Sequence, residues 1–124
     1  MSASTELQGK ALYALYHHFA QGLVMKIQIT SDADLIVRSF AYVAKQLAPS
    51  VQYEQILGEA ERHRSALRLL QRDAFEMAEQ GVRRHALTKT ESDRMREAAA
   101  QAIAQGQQAI SRITAQYAPH KQAA

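Results

Sequence analysis

The stretch "YEQILGEAERHRSALRLLQRDAFEMAEQG" (residues 53–81) decides the fold of this chain. Apolar and small residues recur in it at alternating steps of three and four over about four heptads, which predicts a long helix with a seam for another helix. The seam residues are Tyr53, Ile56, Ala60, His63, Leu67, Leu70, Ala74, Met77 and Gly81. We expect Ser50 to cap this helix and Gly81 to end it.

A second long helix is predicted after the loop "VRRHALTK" (82–89). Thr88 and Glu91 have the spacing of a capping box, and Pro119 follows the predicted end near Tyr117. The predicted inward set consists mostly of small residues: Met95, Ala99, Ala102, Gly106, Ala109 and Ile113, flanked by Ile103 and Ile110. Since small residues let two backbones approach closely, we expect the two long helices to form a tight antiparallel hairpin.

Two shorter helices are predicted before the hairpin. The first is expected over Glu6–Gln21, after a fair capping box of Thr5 and Gln8. The second is expected to begin at the capping box of Ser31 and Asp34 and to end near Leu47, because Pro49 cannot continue a helix.

The segment between these two helices, residues 24–30, is open to two interpretations. Met25, Ile27 and Ile29 alternate with Lys26, Gln28 and Thr30, which is the period of a strand. The alternative is that the first helix continues through this segment. The alternation favours a break in the helix.

The predicted fold is therefore all-α, with two shorter helices packed on a long antiparallel hairpin. We expect residues 1–124 to form one domain with frayed ends at 1–5 and 118–124. Two helices of about 24 Å cannot cover a hairpin of about 42 Å at the usual helical rise. Because exposed seam positions are unfavourable in a monomer, the mismatch predicts a homodimer.

Composition excludes several kinds of chemistry. There is no cysteine, which excludes disulfides, zinc-thiolate sites and a cysteine nucleophile. The chain start lacks the pattern of a signal peptide, and no segment has the length and hydropathy of a membrane span, so a cytoplasmic location is expected. With 15 Lys+Arg against 12 Asp+Glu, the formal charge of +3 gives only mild attraction to a polyanion.

An arginine stripe is the main candidate for binding. We give that name to Arg64, Arg68 and Arg72, which lie along one edge of the predicted helix at four-residue spacing. Arg83 and Arg84 add cations in the following loop. The stripe can be a solvated flank of the seam, the contact for an acidic protein partner, or a row that follows phosphates.

Histidines provide the remaining candidates. His63 occupies a seam position where leucine is usual; a polar group there can fix register, and histidine changes charge close to neutral pH. The inert alternative is a hydrogen-bonded histidine at the seam edge. His17 and His18 point about 100° apart on a helix and no second pair of ligands accompanies them, so no metal site and no cofactor are predicted.

One segment resembles a known family. "MKIQITSDADLIVRSFAYVAKQLAPSVQYEQIL" (25–57) has the order strand-like segment, capped helix, turn and helix, which resembles the ribbon-helix-helix DNA-binding proteins. Over residues 24–60 the resemblance implies a paired ribbon whose Lys26, Gln28 and Thr30 face the bases in the major groove. The chain departs from that family because a predicted helix precedes the ribbon, the turn lacks glycine, and the second helix is much longer.

No motif of an enzyme nucleophile, phosphate loop or metalloprotease is present in the sequence. We therefore predict a small non-enzymatic helical adaptor or regulator that binds another protein. A DNA-binding regulator, using either the ribbon or the arginine stripe, is the alternative.

Overall fold

The computed structural model describes residues 27–49 and 51–119, and these form three helices. Helix α1 covers residues 27–47, α2 covers Tyr53–Arg83 and α3 covers Lys89–Gln116. The all-α class is confirmed, since 87% of this part of the chain is helical. The predicted four-helix arrangement is wrong, because the described residues contain three helices. The helix expected over Glu6–Gln21 lies outside the described residues.

Helix α1 corrects the interpretation of residues 24–30 and of the segment after them. Residues 27–30 are already helical, so the strand predicted there is wrong, and Ser31 lies inside α1 instead of capping it. The reason is burial with helical spacing: Ile29, Ala33, Phe40 and Ala44 all lie in the core. Tertiary packing of this face outweighs the period-two alternation of a short segment. The end of α1 at Leu47 is confirmed.

The hairpin of α2 and α3 is confirmed, with a turn at residues 84–88. Thr88 and Glu91 form the predicted capping box: the Glu91 amide donates to Thr88 Oγ1 at 3.1 Å, and the Thr88 amide donates to Glu91 Oε1 at 3.1 Å. At the other end, α3 stops at Gln116, one residue before the predicted Tyr117. The start of α2 differs from expectation, because Gln52 occupies the N-cap position with no side-chain hydrogen bond.

The prediction that Gly81 ends α2 is wrong, since the helix continues to Arg83. Among the described residues, the backbone with positive φ is that of His85, at 57°. Gly81 is needed for close approach instead: a Cβ there would lie 2.5 Å from Leu87 Cδ1. The Gly81 carbonyl also accepts hydrogen bonds from the amides of Ala86 at 2.8 Å and Leu87 at 3.0 Å. These contacts fold the turn back over the end of α2.

The core lies where all three helices meet. Leu67 of α2 is 0% exposed and packs on the backbone of Gly106 in α3, with Val37 of α1 beside it. The buried positions of α2 are Ile56, Ala60, Leu67, Ala74 and Ala78. They depart from the predicted seam at its last turns, where Ala78 is buried and Met77 is 52% exposed. A straight helix drifts about 20° per heptad against a strict repeat of seven, which moves the seam by one residue.

The register of α1 follows from its contacts. Ile29 clusters with Ala74 and Ala99, and the Phe40 ring centroid lies 5.4 Å from that of His63. Helix α1 therefore runs antiparallel to α2 and parallel to α3. At the usual rise its described part is about 32 Å long, whereas α2 is about 46 Å. Beyond α1, the turn end of the hairpin has its own small cluster of Ala78, Leu87 and Met95.

Candidate binding grooves

An open groove runs between α1 and α3. It has a volume of about 670 Å³ and is lined by Ala33 and Val37 from α1 and by Ala102, Gly106 and Ala109 from α3, among others. Ile27 stands at one end with 59% of its surface exposed. The floor is apolar because the α3 residues that form it, Ala102, Gly106 and Ala109, are alanine or glycine.

The small residues of α3 divide between two neighbours. Ala99 and Gly106 pack on Ala74 and Leu67 of α2, as predicted, whereas Ala102 and Ala109 border the α1/α3 groove. Ala102, Ala109 and Ile113 are only half-buried, whereas Ile103 and Ile110, expected as flanking residues, are buried. The contact with α2 thus centres on Ile103, Gly106 and Ile110, and Ala102 and Ala109 border the groove. The row of small residues in α3 was visible in the sequence, but its position relative to α1 could be assigned only from the three-dimensional arrangement.

The two rims of the α1/α3 groove differ in charge. On α1, Asp34 lies at the rim and pairs with Arg38, with 2.9 Å between Asp34 Oδ2 and Arg38 Nε. On α3, Arg112 and Gln105 lie at the opposite rim. The Asp34–Arg38 pair is exposed and therefore weak, so both rims remain able to contact a polar ligand.

The arginine stripe lies on the flank of α2 that faces away from α1. Arg64 bridges to α3 by donating to Ser111 Oγ at 2.9 Å. Arg68 donates to Glu61 Oε1 at 2.6 Å and to Ser65 Oγ at 2.8 Å. These two arginines therefore have hydrogen-bond partners within the chain, in α3 for Arg64 and in α2 for Arg68.

Arg72 makes a longer polar contact than the other members of the arginine stripe. Its nearest carboxylate is the neighbouring Asp73, at 3.7 Å. In the loop region, Arg83 pairs with Glu79 at 3.5 Å, and Arg84 is exposed. Acidic and basic residues thus alternate along this flank, which gives it mixed charge. A row of uninterrupted positive charge, as a phosphate backbone would require, is not formed by these residues.

A second pocket lies between α2 and α3 on the side away from α1. Its volume is about 400 Å³, and its lining combines three arginines, two glutamates and an aromatic ring. Arg96 Nε is buried there and has no hydrogen-bond partner among the described residues. Sequence reasoning did not single out Arg96 or Phe75. Phe75 and Arg96 lie on the flanks of α2 and α3 that meet in the hairpin, and nothing else in the sequence marks them.

His63 is hydrogen-bonded to its own helix and packs on Phe40 of α1. Its Nδ1 donates a hydrogen bond to the Glu59 carbonyl oxygen at 2.7 Å, and its ring packs at a tilt of 50° against Phe40. The Glu59 carboxylate is 4.0 Å away. This geometry matches the hydrogen-bonded histidine at the seam edge that the sequence left open, and the side chain fills space between α1 and α2.

The other sequence candidates are dispersed. Gln28 and Thr30, the proposed base contacts, lie on α1, and Lys26, His17 and His18 lie outside the described residues. In the part of the chain that the structure describes, no group of three His, Asp or Glu side chains is placed to hold a metal ion. No helix in residues 27–49 or 51–119 combines the length and apolar character needed to cross a membrane.

Comparison with known proteins adds no assignment. No family model, curated protein or solved structure matches this chain.

Proposed function

We propose that this protein is a small non-enzymatic adaptor or regulator of the cytoplasm that binds an amphipathic helix of another protein in the α1/α3 groove. The observation that carries the proposal is the groove itself, with its floor of Ala102, Gly106 and Ala109 and its apolar wall of Ala33 and Val37. An amphipathic helix that lays its apolar face into such a groove is a recurring mode of protein recognition.

The dimensions of the groove define the length of the ligand. The lining runs from Ile27 to Val37 on α1 and from Ala102 to Arg112 on α3, which is about 15 Å on each helix. That span fits about three turns, so the partner presents apolar residues at positions i, i+3 or i+4, and i+7. Because the floor has alanine and glycine only, large side chains such as leucine or phenylalanine on the partner fill the space.

The charges at the rims define the flanks of the ligand. Asp34 on α1 favours a lysine or arginine on one flank of the partner helix, and Arg112 on α3 favours an acidic residue on the other. This asymmetry fixes the direction in which the helix lies. Rim charges act mainly on specificity and association rate, so the apolar face supplies most of the affinity.

A pair of tryptophan variants tests the proposal. Ala109→Trp fills the groove, whereas Ala115→Trp adds the same side chain at an exposed position of α3 outside it. Far-ultraviolet circular dichroism of both variants first establishes that the fold is kept. Each variant is then immobilised, and the proteins that it retains from an extract of the native host are identified and compared. Synthetic peptides that match helical segments of the retained proteins are titrated with each variant, and binding is measured by fluorescence anisotropy.

The expected result is a peptide that binds the unmodified chain and Ala115→Trp equally and binds Ala109→Trp at least about tenfold more weakly. Equal affinity for all three proteins would exclude the groove as the binding site. A retained protein whose binding segment has no amphipathic helix would also contradict the proposal.

A further inference from the structure

The flank of α2 that borders the second pocket has an ordered charge pattern. We call it the Phe75 edge, and its residues recur at three- and four-residue spacing: Glu61, Ser65, Arg68, Arg72, Phe75 and Glu79. Arg68 and Arg72 lie on the N-terminal side of the aromatic ring and Glu79 lies on its C-terminal side. Glu76 borders the edge on that same side and lines the same pocket. Arg68, Arg72, Phe75 and Glu79 of this edge line the 400 Å³ pocket, to which no described residue of α1 contributes. Phe75 is half-buried, with part of its ring packed on the cluster of Ile29, Ala74 and Ala99.

Several charged groups that line the 400 Å³ pocket have weak partners or none among the described residues. Arg96 Nε, on the α3 side of the pocket, is buried and has no hydrogen-bond partner in residues 27–49 and 51–119. Arg72 reaches only its neighbour Asp73, at 3.7 Å, and no ion pair of Glu76 occurs among the described residues. A buried donor left unpaired is unfavourable, so a ligand that supplied an acceptor would stabilise this site.

We propose that a second copy of this chain docks on the Phe75 edge, with the two α2 helices antiparallel about a two-fold axis near residues 73 and 74. In that register Arg72 faces Glu76 of the partner subunit, and Arg68 faces Glu79 of the partner subunit. The two-fold axis generates each pair twice. The Phe75 rings come together close to the axis, where Arg72 of the partner subunit lies against them.

Self-complementarity identifies the occupant as a second copy. A two-fold interface uses the same surface on both subunits, so that surface needs each charge and its opposite at equal distances from the axis. Arg68 and Arg72 on one side of the ring and Glu76 and Glu79 on the other meet this condition. An unrelated acidic ligand would be attracted by the arginines but repelled by Glu76 and Glu79, which line the same pocket.

The existing ion pairs do not oppose this arrangement strongly. Arg68 pairs with Glu61 and Arg83 pairs with Glu79, and all four side chains are more than half exposed. Exposed ion pairs contribute little to stability, so exchanging them for pairs across an interface costs little free energy. The α1/α3 groove lies elsewhere on the bundle and stays open, which makes this proposal independent of the proposed function.

Charge reversal tests both the dimer and its register. Arg72→Glu alone and Glu76→Arg alone each place like charges opposite one another twice across the axis. The two reversals together restore opposite charges in the same register. Arg94→Glu, at an exposed position of α3 outside the pocket, is the control for the change in net charge that Arg72→Glu introduces.

The measurement is molar mass by light scattering after size-exclusion chromatography, over a series of protein concentrations and at low salt. The unmodified chain and Arg94→Glu are expected to be dimers at micromolar concentration. Each single reversal is expected to raise the dissociation constant about tenfold or more, and the double reversal is expected to restore it. Circular dichroism checks that all variants remain folded.

Three results would overturn the proposal. A monomeric mass for the unmodified chain excludes the dimer. Dimers that persist in both single reversals show that another surface is used. A double reversal that stays monomeric while it remains folded shows that Arg72 does not face Glu76 of the partner subunit.

Discussion

Gly106→Ala probes the centre of the bundle with one added methyl group. A Cβ at Gly106 would lie 3.0 Å from Leu67 Cδ1, 3.2 Å from Leu67 Cδ2 and 3.6 Å from Val37 Cγ2. Leu67 is 0% exposed, so its branch cannot turn out into solvent and has to shift within the core to admit the new methyl group. Overpacking of this kind lowers the free energy of unfolding by about 1–3 kcal/mol.

The same substitution also has a favourable term. Alanine is preferred over glycine inside a helix by about 1 kcal/mol, chiefly because glycine loses more backbone entropy. Subtraction of this gain gives an expected net loss of about 1 kcal/mol for Gly106→Ala. Gly58→Ala isolates the favourable term, since nothing lies within 4 Å of a Cβ placed at Gly58. We expect this control variant to be more stable than the unmodified chain by about 0.5–1 kcal/mol.

Urea unfolding followed by circular dichroism at 25 °C measures both variants, at equal protein concentration because dimerisation contributes to apparent stability. In a Leu67→Ala background the obstruction is removed, and Gly106→Ala is expected to become neutral or stabilising. The coupling energy between the two sites should be about 1–3 kcal/mol. If Gly106→Ala stabilises the unmodified chain as much as Gly58→Ala does, Leu67 does not pack on Gly106 and the described core is wrong.

Three further predictions follow from the described contacts. Leu67→Ala should lower the free energy of unfolding by about 2–5 kcal/mol, and Leu70→Ala, which is only half-buried, should lower it clearly less; equal losses in urea unfolding would contradict the burial pattern. His63→Leu should change stability by less than about 1 kcal/mol, because the lost hydrogen bond goes to a helical carbonyl and leucine still packs on Phe40; a larger loss by thermal unfolding would reveal a stronger role for the imidazole. Joint replacement of the three arginines of the arginine stripe by alanine should lower the free energy of unfolding by less than about 1.5 kcal/mol. In an electrophoretic mobility-shift assay at low salt, neither the unmodified chain nor this variant should retard mixed DNA. Retardation by the unmodified chain that the replacement abolishes would favour the DNA-binding alternative.

The hairpin could be predicted from sequence because its signals agree at several levels. The repeat in residues 53–81 is long, and Thr88 and Glu91 form a capping box that depends on local geometry alone. The detailed seam was less predictable, since a heptad repeat and a straight helix differ by a small angle that accumulates along α2. That drift explains why Ala78 is buried and Met77 is not.

The start of α1 and the candidate site were harder to predict. Residues 24–30 form a segment too short for its period to distinguish a strand from a helix. Ile29 became decisive only through its contact with Ala74 and Ala99, which are distant in sequence. The groove depended on the same information, because Ala102 and Ala109 border it only when α1 lies beside α3. Arg96 likewise gained meaning only from the closure of the hairpin.

Site-specific photo-crosslinking tests the helix-binding account most directly. The chain has no cysteine, so Gln105→Cys at the rim of the α1/α3 groove and Gln108→Cys on the outer side of α3 each offer one position for a benzophenone label. In extracts of the native host, the label at residue 105 is expected to crosslink to an amphipathic helical segment of another protein, mapped by mass spectrometry, and Ala109→Trp is expected to abolish the product. Crosslinks from residue 105 that match those from residue 108, or that reach only residues 1–26 of the same chain, would contradict the account.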